Sequence, residues 1–306
     1  MASFDRLIAH NKRLSILLLI GLFLLLGAIG AAIGEYAGGS WSGGVLSAVT
    51  VATVYFLISW YAGGSMIMAV SGAREISREE APQLWNVVDE MSIAAGIPMP
   101  KVYIIEESAM NAFATGRDPK HASVAITRGL LDRLNREELQ GVMAHEMSHV
   151  RNYDIRFSML MAVMVGSIVL ICDLLRRSLF YGSARRGRGS RKSSQGQAIA
   201  GIIVLLLSIL APLFAAIIQL AVSRQREYLA DASAVELTRN PAGLVSALSK
   251  LSEDMQELKG ASRGTQHLFI VNPELRRRFG GDSLFSTHPS LFSRIERIEG
   301  LLVSGS

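Results

Sequence analysis

The sequence predicts a mainly α-helical integral membrane protein with a small β-sheet in a domain outside the bilayer. Three observations carry that prediction. Of the 306 residues, 50% are hydrophobic and only 19% charged, with a mean hydropathy of +0.31, too apolar for an ordinary soluble domain. The apolar residues gather into long uncharged runs. Two strand-like segments, "KVYIIE" at 101–106 and "ASVAIT" at 122–127, stand in otherwise helical sequence.

The first run, Leu14 to Gly34, is uncharged for 21 residues, and a bilayer core takes about 20 helical residues. Lys12 and Arg13 precede it, as they would a signal peptide. A second run argues against cleavage: Tyr36 to Ala73 carries no charge, and Val45 to Ala62 is dense in Val, Ile, Leu and aromatics. Either Trp60-Tyr61 forms its interfacial belt, or the helix continues through "SMIMAV" to Val70. Residues 1–70 are therefore expected to form two spans joined by the turn "EYAGGSWSGG". Lys12, Arg13, Arg74 and Arg78 place both outer ends in the cytoplasm by the positive-inside rule.

Residues 157–222 form a second apolar hairpin, spanning or re-entrant. Phe157 to Cys172 gives 16 uncharged residues and Ala198 to Val222 gives 25, around a basic loop at 176–192 with seven Lys or Arg. Exporting that loop would violate the positive-inside rule, which keeps the re-entrant alternative open. The Gly/Arg/Ser stretch 182–197 reads as a linker whose charge suits anionic lipid as well as solvent. The net charge of +5 is too unevenly placed to indicate nucleic acid, and no nucleic-acid partner is expected. The lone Cys172 excludes an intrachain disulfide and a cysteine-based metal cluster.

"LNREELQGVMAHEMSHV" reads as a helix that Asn135 caps, with Glu138 placed for a capping box. His145 and His149, four apart, share one helical face and can converge on one ion. Glu146 is turned about 100 degrees away, beside that ion. Two neutral imidazoles holding Zn²⁺ with an adjacent Glu as general base is the logic of H-E-x-x-H. Burying a Glu and two His in an apolar helix without partners would be costly.

A catalytic zinc needs a third protein ligand. "SRQREYLADASAVEL" at 223–237 offers Glu227, with Asp231 one turn on to orient a ligand imidazole. Alone, this segment reads first as a solvated face on which Arg224 and Arg226 neutralise the acids; paired with the H-E-x-x-H helix, the balance turns to a metal ligand. If 145–149 and 227 share an ion, the chain between them crosses the bilayer zero or two times. The site then lies on the side of Arg74 and Arg78.

"AHEMSHVRNYD", "REYLADASAVEL" and "STHPSLFSRIERI", after two N-terminal spans, resemble the HtpX-type membrane zinc metalloproteases, with CAAX prenyl proteases as more distant relatives. The resemblance implies one Zn²⁺ per chain on His145, His149 and Glu227, with Glu146 as base. It implies a zincin-like cytoplasmic metalloprotease domain in a bacterial plasma membrane, acting on misfolded or unfolded membrane-protein chains in quality control and stress response. Membrane protease or chaperone partners belong to the same expectation. It makes Met110 to Thr115 an edge strand, with Asn111, Ala112 and Phe113 against the substrate and Asn111 gripping its backbone. His288 would stabilise the oxyanion, and Arg294 would assist at the substrate or brace the site.

Other residues complete the domain, which divides into 71–156 and 223–306. "APQLWNVVDEMSIAAGI" (81–97) has helical apolar spacing, a turn falls at Arg117-Asp118-Pro119, and Leu291, Ile295, Ile298 and Leu302 mark one side of a closing helix. Asp154 is a candidate brace for the metal helix. His10, His121 and His267 are read as surface residues. Two rivals remain: a CAAX-type protease, which needs a large intramembrane chamber, and a scaffold whose zinc is purely structural.

Overall fold

Ser40 opens the long apolar helix. Its hydroxyl accepts the Gly43 N–H at 3.1 Å, and helix α1 (Trp41–Val70) follows without interruption. This computed structural model describes residues 40–160, 224–254, 256, 269–270 and 289–304, with scattered positions between 9 and 31. The cap corrects one expectation: "WSGG" belongs to the helix, not to the turn before it, because Ser40 satisfies the first-turn amides. The helix also runs on to Val70. It is long and apolar enough to cross a membrane, and Leu46, Val51, Val54 and Ile58 are exposed along it. Of the first predicted span, the described positions between 16 and 31 are helical. The basic loop, Cys172, most of the second hairpin, His10, His267 and His288 lie outside the described residues.

After α1 the chain enters a four-stranded sheet of order β1-β2-β4-β3. The strands are β1 (Ala73–Glu75), β2 (Lys101–Ile105), β3 (Ala112–Gly116) and β4 (Ala122–Thr127). β2 and β4 run parallel, whereas β1 and β3 are antiparallel additions at the two edges. β4 is central and its residues are almost all buried, as is usual for a strand covered on both faces. β1 was not expected from sequence, because three residues are too few to show alternation.

Between β1 and β2, α2 (Pro82–Ala95) starts on a proline and stops at Gly96, whose φ of 67° makes a left-handed cap. It buries Leu84, Val87, Val88, Met91 and Ala95, the spacing expected of one helical face. The short α3 (Arg128–Arg133), N-capped by Thr127, leads into α4 (Arg136–Arg151). The capping box at the head of α4 is formed as the sequence predicts: Asn135 Oδ1 accepts the Glu138 N–H at 2.9 Å, and Glu138 returns the bond at 2.8 Å.

α4 is the hub. It packs against α2, α5 (Arg224–Thr238), α6 (Pro241–Glu253) and β3. Most of its residues from 138 to 150 are buried, polar ones included. Gly141 permits the approach of α6: a Cβ there would lie 2.9 Å from Leu244 backbone atoms. The last described helix, α7 (Leu291–Ser304), packs on α5 and α6. It buries Ile298, with Leu291 and Ile295 against the same core.

Candidate metal centre

His145 is fully buried, and Glu146 is 2% exposed. His145 Nε2 and His149 Nε2 face each other at 3.2 Å. Glu227 reaches in from α5 with Oε2 3.6 Å from His145 Nε2 and Oε1 3.6 Å from His149 Nε2. Ligands about 2.1 Å from a tetrahedral ion stand roughly 3.4 Å apart, so this triangle has the dimensions of a metal's coordination shell. Glu227 and Asp231 are 3% and 2% exposed, which dismisses the solvated-face reading of their helix.

The tautomers give an independent test of fit. Asp231 Oδ1 lies 3.0 Å from His145 Nδ1, and Asp154 Oδ2 lies 2.9 Å from His149 Nδ1. A carboxylate at Nδ1 holds the proton there, leaving the Nε2 lone pairs directed at one another and at Glu227. Such a convergence of lone pairs calls for a cation between them. A His₂Glu set of this kind suits Zn²⁺.

The same carboxylates raise the proton affinity of the imidazoles when no cation is bound. For His149, burial pulls the pKa down, but the Asp154 hydrogen bond and the Glu227 charge prevail and lift it to about 9. His145 is also raised: burial and Arg294 oppose the shift, and Asp231 and Glu227 outweigh them. Burial pushes the Glu146 carboxyl upward, partly opposed by the neighbouring histidines. A bound metal would take the place of the imidazole protons.

Arg294 sits at the back of the centre, with no exposed surface. It donates to both Asp231 oxygens, at 2.9 and 2.6 Å, and lies against the His145 ring, 3.3 and 3.5 Å from its nitrogens. Its Nη1 also comes within 3.9 Å of Glu227 Oε2. Between assisting at substrate and bracing the site, these contacts with Asp231, His145 and Glu227 favour bracing. Arg226 approaches Asp154 at 3.7 Å and stacks on Phe157 at 4.9 Å.

β3 is an edge strand, as expected, yet it is buried throughout. Asn111 Oδ1 accepts the Ala112 N–H at 3.0 Å, and the Ala112 carbonyl accepts the Ile270 N–H at 2.9 Å. Phe113 meets Phe269 edge to face at 4.9 Å. The Ile270 carbonyl in turn accepts from Arg294 at 3.4 Å. Residue 270 is therefore strung between the expected substrate strand and the buried arginine. Sequence reasoning missed this segment, since nothing in "HLFIVNP" marks it as a partner of β3. His121 is exposed and pairs with Asp118 at 2.7 Å, in keeping with a surface role.

An H-E-x-x-H helix supplemented by a Glu from a second helix, beside a small sheet and joined to a membrane helix, defines a zincin-type membrane metalloprotease. The chain belongs to Peptidase family M48, whose sequence profile matches residues 78–302. The relatives agree. "Protease HtpX homolog" of Listeria monocytogenes serotype 4a (strain HCC23) is 46% identical over 300 residues, covering 96% of this chain and 98% of that one. "Protease HtpX homolog" of Limosilactobacillus fermentum (strain NBRC 3956 / LMG 18251) is 47% identical over 296 residues, covering 95% and 98%. The crystal structure of S. mikatae Ste24p is similar in fold, with a TM-score of 0.50 and 20% identity, covering 95% of this chain and 66% of that one.

Proposed function

We propose that the protein is a zinc-dependent endopeptidase of the bacterial plasma membrane, working on its cytoplasmic side on misfolded or damaged membrane-protein chains. The observation that carries this reading is the convergence of His145, His149 and Glu227 within 4.8 Å, both imidazoles being anchored through Nδ1. When bound, zinc would acidify a water and polarise the scissile carbonyl. Glu146, buried with a raised proton affinity, takes the proton from the attacking water and returns it to the leaving amine. Asp154 and Asp231 hold the imidazoles in the tautomer that presents Nε2. Arg74 and Arg78 follow α1 and join the catalytic side of the chain, which supports a cytoplasmic orientation. Extended chains entering along β3 must displace the Ile270 N–H from Ala112 if Asn111, Ala112 and Phe113 are to meet substrate.

The test is metal analysis with casein cleavage in detergent, before and after chelation. One zinc per chain and chelator-sensitive hydrolysis are expected, with Glu146→Gln retaining zinc and losing at least about 10²-fold in rate. Zinc without hydrolysis in the unaltered protein would favour the scaffold instead.

A further inference from the structure

α1 is about 44 Å long at 1.5 Å per residue, longer than the roughly 30 Å core of a bilayer. Its aromatic residues show where the excess lies. Trp41 is 62% exposed at one end and Tyr61 is 70% exposed two-thirds of the way along. From Trp41 to Trp60 the axial distance is about 29 Å, one hydrocarbon thickness. Beyond that point α1 turns into part of the catalytic domain: Ser59, Gly63 and Ile67, four apart, are buried on one face. Ile67 and Met68 join Phe113 and Phe269 in a common apolar cluster.

Two arginines from the domain meet the aromatic pair at that level. Arg117 stacks over Tyr61 at 5.0 Å, and Arg156 over Trp60 at 5.3 Å and over Tyr153 at 4.8 Å. Arg156 Nε also donates to the Arg117 carbonyl at 2.5 Å, which ties the two together. Asp118, 3.8 Å from Arg117, offsets part of the charge. Aromatic rings and guanidinium groups in one ring of contacts match the chemistry of a phospholipid headgroup layer, apolar below and anionic at the phosphates.

We propose that Trp60, Tyr61, Arg117, Tyr153 and Arg156 form a collar that seats in the headgroup layer and holds the metal centre at a fixed, short height above the bilayer. Substrate choice is then set by position: the enzyme cuts bilayer-anchored chains in their juxtamembrane segments. The link to the site is short. Tyr153 stands in the turn that closes α4, four residues after His149. β3 ends at the same level, where a Cβ on Gly64 of α1 would lie 3.8 Å from the Gly116 Cα. At roughly 3.3 Å per extended residue, a chain leaving the bilayer at the collar needs only a short stretch, on the order of ten residues or fewer, to reach the centre. This inference rests on the endopeptidase reading above.

The experiment uses the full protein reconstituted in phospholipid vesicles with a ladder of single-span substrates. One cleavable peptide is placed at increasing distances from the end of the span, and the same peptide is also supplied free in solution. The expected result is cleavage confined to spacings within about ten residues of the bilayer and lost at longer ones, whatever the flanking sequence. In Trp60→Leu/Tyr61→Leu the window shifts or broadens while hydrolysis of the free peptide stays at the unaltered rate, which also shows that the variant is folded. Cleavage at every spacing, or a window unmoved in a variant that still cuts the free peptide, overturns the collar. The ladder in the unaltered protein needs no variant. Failure to cut either substrate strikes instead at the endopeptidase reading, and the inference falls with it.

Discussion

Arg294 and Asp231 are joined by two hydrogen bonds, at 2.9 and 2.6 Å, and both are sealed from solvent. Asp231 also holds His145 Nδ1 at 3.0 Å, so α7 reaches the proposed ligand both through this carboxylate and by direct contact of Arg294 with the ring. Arg294→Leu would leave that carboxylate buried and uncompensated, and breaking such a pair costs about 3–5 kcal/mol. Denaturation in detergent should show a loss of that size, with weaker zinc retention. Arg294→Lys keeps the charge but not the two-pronged geometry and should fall between. Stability equal to the unaltered protein in Arg294→Leu would refute the bracing role.

Asp154 does for His149 what Asp231 does for His145, but from the turn just after α4. That turn is unusual, because Tyr153 adopts a φ of 62°, a left-handed conformation rare for an aromatic residue. It swings Asp154 back under the imidazole. Asp154→Ala should leave the three ligands in place and lower zinc affinity about 10- to 100-fold. Competition with a metal-binding dye reads this directly; affinity unchanged within experimental error would show that the Asp154 contact is incidental.

These two contacts mark the boundary of what the sequence discloses. His145, Glu146, His149 and the Asn135–Glu138 box are legible because helical periodicity alone brings them together. Glu227 and Asp231 are legible as a pair one turn apart, and Asp154 as a flanking acid. Arg294 is different: only the family resemblance points to it, because its partner lies 63 residues away and an arginine on an amphipathic helix carries no sign of its own that it is buried. The parallel pairing of β2 with β4 and the seat of Ile270 on Ala112 are likewise contacts between distant segments, without periodicity of their own. β1 is too short to register. The span between Trp41 and Trp60 is readable as composition, but that α1 continues into the core follows only from the burial of Ser59, Gly63 and Ile67.

A carboxylate away from the centre gives a pH prediction. Glu138 is 2% exposed and accepts from Lys250 at 2.8 Å, Ser246 at 2.6 Å and the Asn135 amide at 2.8 Å. Burial pushes its pKa up, but those donors prevail and hold it below the ordinary 4.5. A carboxyl with a depressed folded pKa stabilises the fold above its unfolded value, and that contribution disappears as pH falls through the folded one. Glu138→Gln should therefore cost about 1–3 kcal/mol at neutral pH. The deficit should shrink as the pH is lowered below about 4.5. Denaturation of both proteins across that range checks it, and a deficit independent of pH would mean that packing, not charge, is what Glu138 supplies.

Gly141 sets a contest between local and tertiary effects. In an isolated helix, alanine would be favoured over glycine by about 1 kcal/mol. Here the new Cβ would lie 2.9 Å from both Leu244 Cα and its amide nitrogen, on a backbone that has no flexible end to move aside. α4 and α6 would have to separate, and overpacking of this kind costs about 1–3 kcal/mol. We expect the tertiary term to win, so Gly141→Ala is destabilising. His145 and His149 follow four and eight residues along the same helix, so the displacement should also weaken zinc binding. Gly64→Ala is the matched control, since its Cβ meets Gly116 at an ordinary 3.8 Å and should change stability by no more than about 0.5 kcal/mol. Thermal unfolding of the two variants side by side decides the matter: a stabilised Gly141→Ala would show that the α4–α6 contact yields more easily than its backbone geometry implies.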